Sequence, residues 1–166
     1  MSNQFYGKYR GTVTDIEDPL MKFRVRAKVP DVMGDLESGW AMPCLPFGGT
    51  GMGFFGLPKV GAGVWIEFEH GDPDYPIWSG CWFGSSADVP PLVLSPPYKK
   101  VMIKTEGGHS LLLDDTSGTG GITLETSGGQ KIVMTPNGIE IDNGKGATIK
   151  LTNNKISIND GALEVM

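Results

Sequence analysis

Five residues near the middle of the chain have the chemistry to bind a metal ion together. Glu67, Glu69, His70, Asp72 and Asp74 offer carboxylate oxygens and an imidazole nitrogen within eight residues, and such groups are ordinary ligands of divalent cations. Alternation along a strand, however, places only the two glutamates on a common face. The other three lie in a His-Gly-Asp-Pro-Asp tract that is typical of a turn. The pattern therefore predicts a turn and no metal site.

Two further patterns could serve catalysis. Asp114 and Asp115 are adjacent carboxylates, and glycosidases use a carboxylate pair, but neighbouring residues of a strand point to opposite faces, which favours a role in ending a strand. Cys44 and Cys81 each lie among apolar residues without a histidine-containing nucleophile motif, so we expect two buried thiols. We predict no catalytic residue, no cofactor-binding residue and no metal ligand.

Short strands dominate the last third of the chain, residues 101–166. Pairs of aliphatic residues separated by one position recur there every 7 to 11 residues, and the tracts between them are rich in Gly, Asn and Asp, as expected of turns. We predict that these pairs form the core of a trimer. The pairs are Val101 and Ile103, Leu111 and Leu113, Ile122 and Leu124, Ile132 and Met134, Ile139 and Ile141, Ile149 and Leu151, Ile156 and Ile158, and Leu163 and Val165.

The case for a trimer depends on what this repeat lacks. Its strands contain no aromatic residue, and the face opposite the aliphatic pairs carries residues such as Thr123, Glu140 and Lys150. A single sheet of this kind cannot bury its apolar face and leaves unpaired edges. Three copies winding around one axis, with strands that pair between chains, would solve both problems. The sequence therefore predicts an intertwined trimeric β-helix, or β-prism, that forms a needle.

The residues before the repeat predict a separate β-domain. Alternating apolar residues mark strands, and in one of them Phe23, Val25, Ala27 and Val29 should face inward. The expected strands are residues 6–16, 23–29, 40–45, 64–68 and 77–83, with a loop at 30–39 and a Gly-rich connection at 48–63. An all-β chain with this spacing suits a five-stranded barrel of the OB type. The predicted organisation is an OB-fold domain at 1–88, a Pro-rich linker at 89–100 and the trimeric spike at 101–166.

Charge and hydropathy narrow the function. The net charge of −5 argues against a nucleic-acid partner, and without a leader-like or membrane-spanning apolar run we expect synthesis in the bacterial cytoplasm. The alternative is a nucleic-acid- or carbohydrate-binding barrel with an oligomerising β-tail, because Arg24, Arg26 and Lys28 form a basic stripe beside aromatic residues suited to stacking. Against it, residues 1–95 hold 7 basic and 11 acidic side chains.

Several motifs of the first domain resemble the OB-fold domain of contractile-tail spike proteins. They include Tyr9-Arg10-Gly11, Asp18-Pro19 and, above all, the run from residue 68 to residue 80. The turn within that run consists of Phe68, Glu69, His70, Gly71, Asp72 and Pro73. Residues 108–116 are similar to the opening of the β-helix in the same proteins. This family comprises baseplate assembly protein V and other central spikes of contractile phages, the valine-glycine repeat proteins of type VI secretion, and the spikes of extracellular contractile injection particles.

The resemblance implies a structural protein and not an enzyme. Such a spike would lie at the baseplate centre, cap the inner tube and penetrate the target envelope when the sheath contracts. The implied partners are two further copies of the chain, a separate hub protein of the phage tail or tail-like particle, and transiently the target membrane. The apolar C-terminal end would suit a PAAR-repeat tip protein. The docking residues would be Gly161, Ala162, Leu163, Glu164, Val165 and Met166.

Overall fold

A computed structural model describes residues 4–165 of the chain. The chain divides into two compact units, Met1–Asp88 and Val89–Met166. The first unit contains β1 (Tyr9–Asp15), β2 (Arg26–Lys28), α1 (Pro30–Met33), β3 (Met42–Pro43), β4 (Gly48–Gly49), β5 (Met52–Gly53), β6 (Gly63–Phe68) and β7 (Pro76–Trp82). Within residues 4–165, no helix is long and apolar enough to cross a bilayer.

The first unit is the predicted five-stranded barrel. Its sheet has the order β2-β1-β6-β7-β3, in which β3 and β7 are parallel and the other pairs antiparallel. A bridge between Val25 and Ala41 joins the two edges, with N–H to O distances of 3.2 and 2.8 Å. The sheet therefore closes on itself, which removes its free edges. The side chains buried inside are Val13, Val25, Ala27, Val29, Ala41, Val64, Ile66, Phe68 and Trp78.

The second predicted strand is shorter than expected because a tight loop occupies its first half. Met21 and Phe23 adopt positive φ angles of 50° and 64°, a region that L-residues seldom enter. The Asp18 carboxylate holds this loop by accepting the backbone N–H groups of Leu20 at 3.0 Å and Lys22 at 2.7 Å. Phe23 is consequently only partly buried, whereas the three other residues predicted to face inward are fully buried.

Three further expectations for this unit need correction. The loop expected at residues 30–39 begins with α1, because Pro30 suits the first position of a helix. The Gly-rich connection folds back on itself as the β4–β5 hairpin. The expectation of buried thiols is wrong, since Cys44 and Cys81 are both exposed. Cys44 lies just beyond β3 and Cys81 near the end of β7, where the last core residue is Trp78.

The second unit is an antiparallel meander of eight strands, each of which carries one predicted aliphatic pair. They are β8 (Lys100–Lys104), β9 (Ser110–Asp114), β10 (Gly121–Glu125), β11 (Lys131–Thr135), β12 (Gly138–Asp142), β13 (Thr148–Thr152), β14 (Lys155–Ile158) and β15 (Leu163–Val165). Each strand pairs with the next in sequence, from β8 at one edge to β15 at the other. The strands and their order follow from period-two alternation between turn tracts.

The sequence predicts strands that pair between chains, whereas in the single chain each strand pairs within the chain and no β-helix is seen among the described residues. Every ladder joins consecutive strands of the same chain. The turns explain the difference, since connections as short as Pro136-Asn137, between β11 and β12, return each strand onto its own predecessor. At this turn Gly138 has a φ of 140°, and a Cβ there would collide with the carbonyl oxygen of Leu151.

Candidate trimerisation surface

The register of the meander aligns the sixteen aliphatic residues into two unbroken columns on one face. Directly opposed side chains on neighbouring strands lie close enough to pack against each other. Column A consists of Ile103, Leu111, Leu124, Ile132, Ile141, Ile149, Ile158 and Leu163. Column B consists of Val101, Leu113, Ile122, Met134, Ile139, Leu151, Ile156 and Val165.

This aliphatic face is open to solvent in the single chain. Thirteen of the sixteen side chains are between 37 and 63% exposed, and Leu111, Met134 and Ile158 are half-buried. Single exposed aliphatic residues are common on protein surfaces, but a continuous patch of this extent marks an interaction site. The face therefore resembles one side of a hydrophobic core and could be buried by a second apolar surface.

The face is concave along column A. A groove of about 890 Å³ runs there, and its floor is formed by column A residues from Ile103 to Ile158. Turn residues on the same side, among them Thr105, His109 and Asn143, form its rim. The His109 ring is fixed in the rim because its Nδ1 accepts the backbone N–H of Ser127 at 3.3 Å. A floor of branched aliphatic side chains favours an apolar occupant.

The opposite face of the meander is polar toward the C-terminus. Its central positions progress from Met102 and Leu112 to Glu140 and Lys150. Lys150 donates to the Asp160 carboxylate, in the turn before β15, at 2.6 Å, and this hydrogen bond raises the pKa of Lys150. Exposed ion pairs of this kind are screened by solvent and contribute little to stability. This face is therefore suited to solvent and adds little to stability.

The adjacent aspartates form a strand end. Asp114 accepts the backbone N–H of Thr116 at 2.9 Å and its hydroxyl at 2.5 Å, and these hydrogen bonds lower the pKa of Asp114. Lys100 lies 3.7 Å away on the neighbouring strand. A hydrolase acid would need a raised pKa, so the geometry matches the structural role inferred from the sequence.

The turn that carries the strongest family motif is also structural. Phe68 packs in the barrel core, and the Glu69 N–H donates to the Tyr75 carbonyl at 3.0 Å. Gly71 has a φ of 78°, and its carbonyl accepts the N–H of Phe5 at 2.8 Å. A Cβ at Gly71 would crowd that incoming segment. Within residues 4–165, no three His, Cys, Asp or Glu side chains are grouped to hold a metal ion.

Two members of the basic stripe are engaged by their own barrel. The Arg24 guanidinium donates to the Asp18 carboxylate through Nε at 3.0 Å and Nη2 at 2.5 Å, with side-chain exposures of 15 and 4%. This contact holds the pKa of Asp18 well below its usual range. Arg24 and Arg26 both lie over the Trp40 ring, at 5.6 and 5.0 Å. Sequence reasoning missed this cluster, because only the fold brings the Trp40 ring beside the two arginines.

The proposed tip-docking segment lies at the outer edge of the meander. Leu163 and Val165 belong to β15, which has β14 as its neighbour, while Gly161 closes the turn before it. All five residues from 161 to 165 are exposed. Met166, the last residue of the predicted segment, lies outside the described residues. The described part of the segment thus presents both apolar side chains and a strand edge.

Two family models match the chain, one within the first unit and one within the second. Residues 9–83 match the family described as the type VI secretion system/phage-baseplate injector OB domain. Residues 100–164 match the phage baseplate V C-terminal trimerisation domain. All residues of columns A and B except Val165 lie within this second match.

Two curated relatives are VgrG proteins. The actin cross-linking toxin VgrG1 of Vibrio cholerae is 32% identical over 88 residues, which is 50% of this chain and 7% of that protein. The type VI secretion system spike protein VgrG4b of Pseudomonas aeruginosa is 38% identical over 56 residues, 34% of this chain and 7% of that protein. The chain thus corresponds to a small part of each relative. Its barrel and meander together match over most of their length, and the chain belongs to the phage baseplate V family of spike proteins.

Proposed function

We propose that three copies of this chain form the central spike of a contractile tail or injection particle, with columns A and B of each copy enclosed in a common core. The observation that carries the proposal is the continuous aliphatic face on eight strands, exposed in the single chain. Burial of such a face is the main driving force for association. A trimer also directs the three polar faces outward, with a net charge of about −15, three times that of the chain.

A spike must transmit force along its axis without bending. Eight strands stacked about 4.8 Å apart would extend roughly 35 Å along that axis. The backbone hydrogen bonds of the meander run in the stacking direction, and three sheets around a shared core would brace one another. These features support the proposal that the spike is driven through the target envelope when the sheath contracts.

The partners follow from the same role. The barrel would cap the inner tube through a separate hub protein, and the exposed β15 end would accept a PAAR-repeat tip protein. Contact with the target membrane would be transient, nucleic acid is not a partner, and the chain would act as a structural part and not as an enzyme. Synthesis would take place in the bacterial cytoplasm before assembly into the baseplate.

The location of this chain in purified contractile particles tests the proposed function directly. Antibody fragments raised against the barrel can be imaged by electron microscopy on purified contractile particles. We expect label at the baseplate end of the tail, on its axis. Label along the sheath, or particles that never carry the chain, would contradict the assignment.

A further inference from the structure

A hairpin of the first unit presents apolar side chains that are not part of the barrel core. We name residues 47–57 the aromatic hairpin, because they contain the β4–β5 pair and three phenylalanines. This segment contains no charged residue. Its large side chains are between 36 and 60% exposed, and they are Phe47, Met52, Phe54, Phe55 and Leu57.

The hairpin is held in place on the barrel. Phe55 packs edge-to-face on Phe23, with ring centroids 5.6 Å apart, and the Phe54 N–H donates to the Phe47 carbonyl at 3.3 Å. The carbonyl of Phe23 in turn accepts Nε1–H of the core residue Trp78 at 3.2 Å. Apolar side chains that are exposed and yet braced from below are typical of a binding surface, since ordering them in advance lowers the entropy cost of binding.

A second copy of the chain is the occupant that the chain's own organisation favours. Residues 89–99 connect the last residue of the first unit to β8, and a segment of 11 residues spans at most about 40 Å when fully extended. Tethering over such distances gives effective concentrations in the millimolar range. Three barrels on one trimer would therefore meet often enough for a weak contact to be occupied.

Charge determines where the barrels can touch. Residues 1–88 carry 7 basic and 11 acidic side chains, a net charge of −4, so like barrels repel each other over most of their surface. The uncharged hairpin is a place where close approach has no such cost. We propose that the aromatic hairpin of each barrel packs against the barrel of another copy within the trimer, an inference that rests on the proposed trimeric spike.

Photo-cross-linking of the purified full-length chain tests this contact. A benzophenone amino acid replaces Phe54 in one variant and Leu36 in the control, because Leu36 is 73% exposed on the same unit but lies outside the hairpin. We expect irradiation to yield covalently linked copies from the Phe54 variant and not from the control. Sedimentation of each sample before irradiation reports the oligomeric state separately.

The outcomes separate this contact from the trimer itself. A trimeric mass with no cross-link at position 54 overturns the hairpin contact and leaves the spike intact, whereas a monomeric mass overturns both. A cross-link that forms only after a hub protein is added assigns the hairpin to that protein and also overturns the contact. As a second measurement, Phe54→Ser with Phe55→Ser should dissociate the trimer at a higher protein concentration than Leu36→Ser does, and equal dissociation would speak against the contact.

Discussion

Replacement of one aliphatic residue of column B by aspartate should abolish assembly. We choose Ile156→Asp because Ile156 lies opposite Leu151 and Val165 in the meander and is 42% exposed in the single chain. The matched control is Ser157→Asp. Ser157 is the next residue of the same strand and lies on the polar face, between Lys150 and Glu164.

The expected loss of association free energy follows from the part of the Ile156 side chain that is exposed in the single chain and buried in the trimer. Full burial of an isoleucine side chain contributes up to about 3 kcal/mol, so the part of Ile156 still exposed in the single chain accounts for roughly 1 kcal/mol per copy. Each aspartate adds a desolvation penalty of several kcal/mol in a dry core. Three copies sum to on the order of 10 kcal/mol, which corresponds to a loss of roughly 10⁷-fold in the association constant.

Sedimentation at micromolar concentration, with circular dichroism to follow the β content of the barrel, measures the effect. We expect Ile156→Asp to sediment as a monomer and Ser157→Asp to sediment like the unmodified chain. A trimeric Ile156→Asp chain would refute the enclosed core. Dissociation of both variants alike would show that charge, and not the buried face, controls assembly.

Three further outcomes are expected. Asp18→Asn should lower the melting temperature at neutral pH, and the difference from the unmodified chain should shrink as the pH falls below about 4. The reason is that a carboxylate with a depressed pKa stabilises the fold above its unfolded pKa and loses that contribution as the pH falls toward the folded pKa. A difference in melting temperature that is independent of pH would refute this. Gly138→Ala should destabilise the meander strongly, since the added Cβ would meet the Leu151 carbonyl. In the control Gly107→Ala, the added Cβ meets only a side chain at 3.8 Å, so the melting temperature should change little. Equal melting temperatures of the two variants would contradict the strand packing. Truncation after Tyr98 should leave a folded barrel by circular dichroism, and a fully unfolded fragment would show that the two units are not independent.

The strands of the meander could be predicted because local rules determine them. Aliphatic residues at i and i+2 between turn tracts specify both the strands and the face on which columns A and B lie. Alternation says nothing about which chain supplies the neighbouring strand, so it could not predict the pairing within the single chain. The two-residue connection at Pro136-Asn137 was the available signal, since so short a turn favours pairing within the chain.

The features of the barrel that could not be predicted depend on contacts between distant residues. The positive φ angles of Met21 and Phe23 are sustained by the Asp18 carboxylate and its ion pair with Arg24, whereas alternation predicted a strand from Phe23 onward. In the same way, Arg24 and Arg26 stood out as a solvated basic stripe until the fold placed Trp40 beside them. The exposed thiols were missed because apolar neighbours in sequence do not reveal where a core ends.

The mass of the purified chain in solution tests the central claim most directly. Sedimentation equilibrium over a dilution series should give three times 17.8 kDa, about 53 kDa, down to micromolar concentration. A well-folded species of 17.8 kDa at that concentration would contradict the shared core of columns A and B, and with it the spike.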